Sequence, residues 1–131
     1  KKEMIDEGII AIVKADLTLI QMLGGRIYPH QIIQGNDYPM ASLQVVEQPP
    51  ISGQGGICLR EYDFLIAISS NNYSECRAIG ERLIVVFNKY SGAMGDLNVV
   101  MCKYTGTPLN TLQNDTNLYY IAYEFNILIN I

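Results

Sequence analysis

"LYYIAYEFNILINI", residues 118–131, decides the fold. Tyr119, Ile121, Tyr123, Phe125, Ile127, Ile129 and Ile131 take every second position, and Glu124, Asn126 and Asn130 stand between them. A period of two sends alternate side chains to opposite faces of a strand. One face is greasy over its whole length and the other is wetter, the mark of an antiparallel sheet covered on one side. A strand this regular needs partners of the same kind, and the rest of the chain supplies them.

Leu59–Ser69 alternates in the same way, with Tyr62, Phe64, Ile66 and Ile68 on one side and Glu61 and Asp63 on the other. Met40–Gln48 and Asp96–Tyr104 read as further strands, and Arg26–Ile33 as a short extended piece followed by a polar turn at residues 34–37. Residues 105–117 read as a polar connection containing Gly106 and Pro108. Between two strands lies "QPPISGQGGI", residues 48–57, uncharged and rich in Pro and Gly, a composition that suits a contact loop better than a core segment.

Two segments carry the helical period instead. From Met4 to Leu23, apolar residues at Ile5, Ile9, Ile12, Val13, Leu17, Ile20 and Leu23 form one stripe. Asp16 prefers a cap to a helix interior, so it is expected to split this stripe in two, and the Gly24-Gly25 pair to end it. Asn72 and Glu75 have capping-box spacing, and Cys76, Ile79, Leu83, Val86, Phe87 and Tyr90 follow at helical intervals until Ser91-Gly92. Gly80 inside that helix costs ~1 kcal/mol against Ala, which close approach to the sheet would explain. The expected fold is α+β in one domain over residues 1–131. Two helices pack on one face of an antiparallel sheet whose edge is open to a mixed pairing, in the order α-β-β-β-α-β-β.

Composition bounds the function. The 131 residues are 49% hydrophobic and 17% charged, which excludes a disordered chain, and no apolar run approaches the ~20 residues that span a bilayer. Residues 1–8 lack the apolar stretch of a signal peptide. Cys58, Cys76 and Cys102 are odd in number and widely spaced, His30 is the single histidine, and the glycosylation patterns at Asn72 and Asn114 lack a secretory context. A reducing, cytosolic setting and no metal are expected. The net charge of −4 and scattered Lys and Arg argue against gripping nucleic acid through its phosphates.

Catalytic patterns are equally thin. His30 beside Pro29 is the sole candidate base. Glu61 and Asp63 share a strand face, where a solvated surface is the plainer reading than a carboxylate pair. Residues 52–56, Ser-Gly-Gln-Gly-Gly, lack the Lys of a phosphate loop, and the nine tyrosines are spread over strands and loops without the basic interleaving that suggests base stacking. Neither an enzyme nor a cofactor site is expected; a small α+β enzyme remains as the alternative, with no catalytic cluster to name.

Taken in order, "LGGRIYP" after the first helix, "LREYDFLIAISSNNYSECRAIGERL" and "NLYYIAYEFNILI" after Asp115 resemble the tail completion, or tail terminator, proteins of long-tailed phages and prophages. The resemblance runs from about Ile5 to Ile129, and the long 48–57 loop departs from it. It implies a structural virion protein that forms a ring, commonly a hexamer, capping the tail tube and joining the DNA-filled head. Implied partners are further copies of itself, the tail tube protein and the head–tail connector or stopper, with DNA as passing cargo and no membrane. The implied location is the virion tail, reached from the host cytoplasm during assembly. On this reading Glu47, Glu61, Asp63 and Glu124 are expected to face the lumen. Gln48, Pro49, Pro50, Ile51, Ser52, Gly53, Gln54, Gly55 and Gly56 are expected to form a partner-docking loop. A neighbouring neck or minor tail adaptor protein of the same assembly is the other reading.

Overall fold

The structure is a computed structural model that describes residues 5–29, 39–47, 51–52, 58–94, 97–113 and 118–130, with backbone only for residues 29, 47, 51–52, 58–59, 108–113 and 118. The elements run α1 (Ile5–Ala15), α2 (Leu17–Leu23), β1 (Ile27–Pro29), β2 (Met40–Glu47), β3 (Ile51–Ser52), β4 (Cys58–Ser70), α3 (Tyr73–Phe87), β5 (Gly92–Met94), β6 (Leu97–Gln113) and β7 (Leu118–Asn130). The sheet order is β1-β2-β4-β7-β6-β5, with β3 added on β4. Every described pairing is antiparallel except β1 with β2, so the edge is mixed.

The first helical stripe breaks where the sequence places the break. Asp16 caps α2, its carboxylate accepting the Thr18 N–H at 3.1 Å. Gly24 ends α2 at φ 62, a conformation a side chain would strain, and its N–H donates to the Ile20 carbonyl. Asp16 also ties α2 to α3, since Arg82 of α3 donates to both its oxygens at 2.8 and 3.1 Å. Only 10% of the Asp16 side chain is exposed. The Arg82 hydrogen bonds hold its carboxyl below the usual carboxylate range. A depressed folded pKa adds stability above the unfolded value, and that stability is lost as pH falls through the folded one. Asp16→Ala is therefore expected to cost about 1–2 kcal/mol at pH 7. The gap from wild type should narrow below pH ~4, as paired urea titrations at neutral and acid pH would read.

At the start of α3, Asn72 accepts the Glu75 N–H at 3.3 Å, as its spacing predicts. The return half of the box is different. Ser70, fully buried at the end of β4, donates its hydroxyl to Glu75 Oε1 at 2.7 Å and accepts the Asn72 N–H at 3.1 Å. The serine thus relays the contact that Glu75 was expected to make directly. The helix closes at Phe87, short of Ser91-Gly92, because Asn88 caps it and Lys89 turns left-handed at φ 68. The chain then re-enters the sheet, Lys89 N–H donating to the Cys102 carbonyl at 2.6 Å and Cys102 N–H to Tyr90 at 3.0 Å.

Strand β6 is the largest departure from the expected elements. It continues through residues 105–113, read above as a connection, and pairs with β7 as far as Gln113–Leu118. Register shifts fall at Val99/Met101, Tyr104/Gly106 and Gly106/Leu109. Gly106 and Pro108, which signal a loop in sequence, occupy these irregularities, where a bulge tolerates a missing side chain or a missing N–H. Strand β5, also unforeseen, pairs with only Leu97–Val99.

All three helices pack on one sheet face, α3 over β4, β7 and β6, and α1 against β2 and β5. The core between the layers joins Phe64 of β4, Phe125 of β7 and Phe87 of α3. Phe64 and Phe125 stack at 5.1 Å, and Phe87 meets Phe64 edge-on at 5.3 Å. Ile9, Leu19, Leu43, Ile66, Ile79 and Leu83 are fully buried around them, each contributing ~1.5–3 kcal/mol of transfer free energy. Gly80 answers the question its position raises. A Cβ there would overlap the Tyr123 ring, so α3 lies directly on β7. The Tyr123 hydroxyl is buried with no partner among the described residues, and burial pushes its pKa up to about 12. Removing an orphaned buried hydroxyl relieves a desolvation cost, so Tyr123→Phe is expected to raise stability by about 1 kcal/mol in urea unfolding.

Candidate assembly surface

Sheet register fixes which residues share the face away from the helices. Across the strands, one row runs Val46–Asp63–Asn126–Lys103 and the next carries Gln44, Leu65, Glu124 and Gly106. On the other side of the first row, Glu61 pairs with Leu128 and Leu128 with Met101. Glu61, Asp63 and Glu124 therefore lie on one face, each half-buried. Glu47 does not join them. It pairs with Tyr62, in phase with Val45–Phe64 and Leu43–Ile66, because β2 meets β4 one residue out of step with the parity that grouping requires.

The acidic residues are organised by one amide. Asn126 donates through Nδ2 to Glu61 Oε2 at 2.7 Å and to Asp63 Oδ1 at 2.8 Å. These bonds fix the carboxylates side by side and use the amide hydrogens that would otherwise meet water. Asn126 was visible in sequence only as a polar position on the wetter face. Its bridging role depends on the β4–β7 register, which no local pattern specifies.

The wet face is not open along its whole length. Ser42, Ala67, Ser69 and Ala122 are buried although they lie on this side, so the open region is confined to the end around Glu61, Asp63, Glu124 and Asn126. Of the expected docking loop, Ile51 and Ser52 form β3 and pair with Leu59 and Cys58. Residues 48–50 and 53–57 lie outside the described residues, as do His30, the expected turn at 34–37, Asn114 and Asp115.

Reactive groups elsewhere are muted by burial. Desolvation pushes the Cys76 thiol up to about 11 and the Cys102 thiol up to about 12, so both stay protonated at neutral pH and neither is an activated nucleophile. Cys76 points its Sγ at the Ile68 and Tyr119 carbonyls, at 3.9 and 3.8 Å. Among the described residues, no group of three His, Cys, Asp or Glu side chains is placed to hold a metal, and no helix is long and apolar enough to cross a membrane.

A helix-covered, largely antiparallel sheet of this kind occurs in a virion chain. A chain from the virion of a native gene transfer agent (GTA) particle superposes on this one with a TM-score of 0.79 at 13% identity, covering 97% of this chain and 95% of that one. The similarity is one of fold over nearly the full length of both chains. No family pattern and no curated protein matches the sequence.

Proposed function

We propose that this chain is a structural virion protein of the tail-completion type, a ring subunit that caps the tail tube and offers the head–tail joining surface. The observation that carries the reading is the near-complete overlap with a virion chain, 97% of this protein and 95% of the other. It meets the ordered stretches in the sequence that resemble tail terminators. Partners on this reading are further copies of the chain in a hexameric ring, the tail tube and the connector, and the 48–56 loop is the docking element. No catalytic residue is assigned.

Within the ring, Glu61, Asp63 and Glu124 line the channel. Carboxylates held there repel the DNA backbone and keep passing DNA from sticking. Reversing Glu124 to Lys, on β7 and away from both sides of the sheet, is expected to slow DNA ejection while rings still form. Dye-monitored DNA release from purified particles measures this, and an unchanged rate would remove the lumenal role.

The function is tested by electron microscopy of particles from which the gene is deleted. Overlong tails, or finished tails detached from filled heads, are expected. Tails of normal length joined to heads would contradict the proposal, and tails of normal length carrying a disrupted neck would favour the adaptor reading.

A further inference from the structure

Three exposed large apolar residues stand on strands among the described residues. They are Val46 at 59% exposure, Val100 at 43% and Met101 at 52%. None lies in the middle of the sheet. Val46 sits on β2 beyond the β1 pairing, which ends at Leu43. Val100 and Met101 sit on β6 beyond the β5 pairing, which ends at Val99, so the two groups stand at margins on opposite sides of the sheet. Register places Val46 and Met101 on the same face in neighbouring rows, and the interval between them carries Glu61, Asp63, Asn126 and Leu128.

Charge is divided in the same sense. The β6 margin carries Lys103 in the strand and Lys89 in the segment hydrogen-bonded to Cys102, both exposed. The β2 margin is backed by Asp63, which pairs with Val46, and by Glu61. One margin is thus apolar and basic, the other apolar and acidic. Identical margins would favour a two-fold dimer, whereas unlike, complementary margins at opposite sides of one sheet favour head-to-tail contact.

The geometry points to a lateral interface in which the β2 margin of one copy, centred on Val46, seats against the β6 margin of the next, centred on Val100 and Met101. The occupant is a second copy of this chain, because each margin supplies what the other lacks. The contact buries the exposed apolar residues in pairs and brings Lys103 toward the Asp63 side of its neighbour. Repeated with a closing rotation it makes a ring. The inference deepens the ring proposed above and rests on it only for the subunit count.

Mixed-label cross-linking tests it in the full-length chain, with Cys58→Ser removing a native thiol. Val46→Cys and Met101→Cys are prepared separately, concentrated or assembled into particles, mixed, and treated with a short bis-maleimide. The expected product is a dimer holding one subunit of each kind, with little from either variant alone. A chain carrying both cysteines should give a ladder that ends at the ring size. Adding Val100→Asp to that two-cysteine chain should abolish the ladder while circular dichroism and the thermal midpoint stay those of a folded chain.

A Val46→Cys homodimer as the main product would overturn the interface, as would an assembled ring with no mixed cross-link. A chain monomeric both in concentrated solution and in particles would also overturn it. Failure of the tail-completion reading is separate, since gene deletion would then leave tails normal while the mixed cross-link persists.

Discussion

Gly80→Ala is expected to lower the unfolding free energy by about 3 kcal/mol, at the upper end for a single added methyl. The added carbon would overlap Cζ, Oη and Cε1 of Tyr123. The Tyr123 ring is buried in the sheet and cannot swing aside as the tip of a surface side chain would. Moving α3 away is the other escape, and it would part Phe87 from Phe64 and Phe125. Urea unfolding at pH 7 measures the loss. The cause is isolated by a double-mutant cycle: with Tyr123→Leu, which removes the ring, the cost of Gly80→Ala should fall to near zero, because Ala is the better helix residue by ~1 kcal/mol. Additive effects in that cycle would mean that the glycine serves something other than the Tyr123 contact.

Phe125→Ala is expected to cost about 4 kcal/mol, near the top of the range for emptying an aromatic site. Phe125 is fully buried and touches Phe64 at 5.1 Å, Phe87 at 5.6 Å and Tyr104 at 5.6 Å, so it joins β7 to β4, α3 and β6 at once. The cavity cannot collapse without moving four elements. Phe125→Leu, which keeps most of the volume, should lose about half as much. Chemical denaturation gives both numbers. A loss below about 1 kcal/mol for the alanine variant would show that the aromatic cluster is not the centre of the core.

Local chemistry explains which features were legible before the structure. Asp16 and Asn72 act through bonds to residues two and three positions away, so sequence spacing identifies them as caps. The strict alternation of β7 and β4 is likewise self-contained, and it fixes the helix-covered face. Residues 105–113 read as a loop because Gly106 and Pro108 break the strand pattern, and only pairing with β7 reveals that they occupy bulges. Ser70 carries no such local signal, because its hydroxyl serves α3 from the end of another element.

The candidate surface shows the same divide. Glu61 and Asp63 announce their shared face by being two residues apart, and Glu124 follows once β7 pairs with β4. The parity of its own strand groups Glu47 with them, whereas inter-strand register decides the face. Asn126 as the bridge, and Val46 with Met101 as opposite margins, depend entirely on strand order, which composition and periodicity do not encode.

Electron cryo-microscopy of assembled particles would locate this chain in the virion. This chain is expected in a single ring at the head-proximal end of the tail tube, with the Glu61–Asp63–Glu124 face on the channel and α1, α2 and α3 outside. Helices lining the channel, or the chain located outside any ring at the head–tail junction, would contradict it.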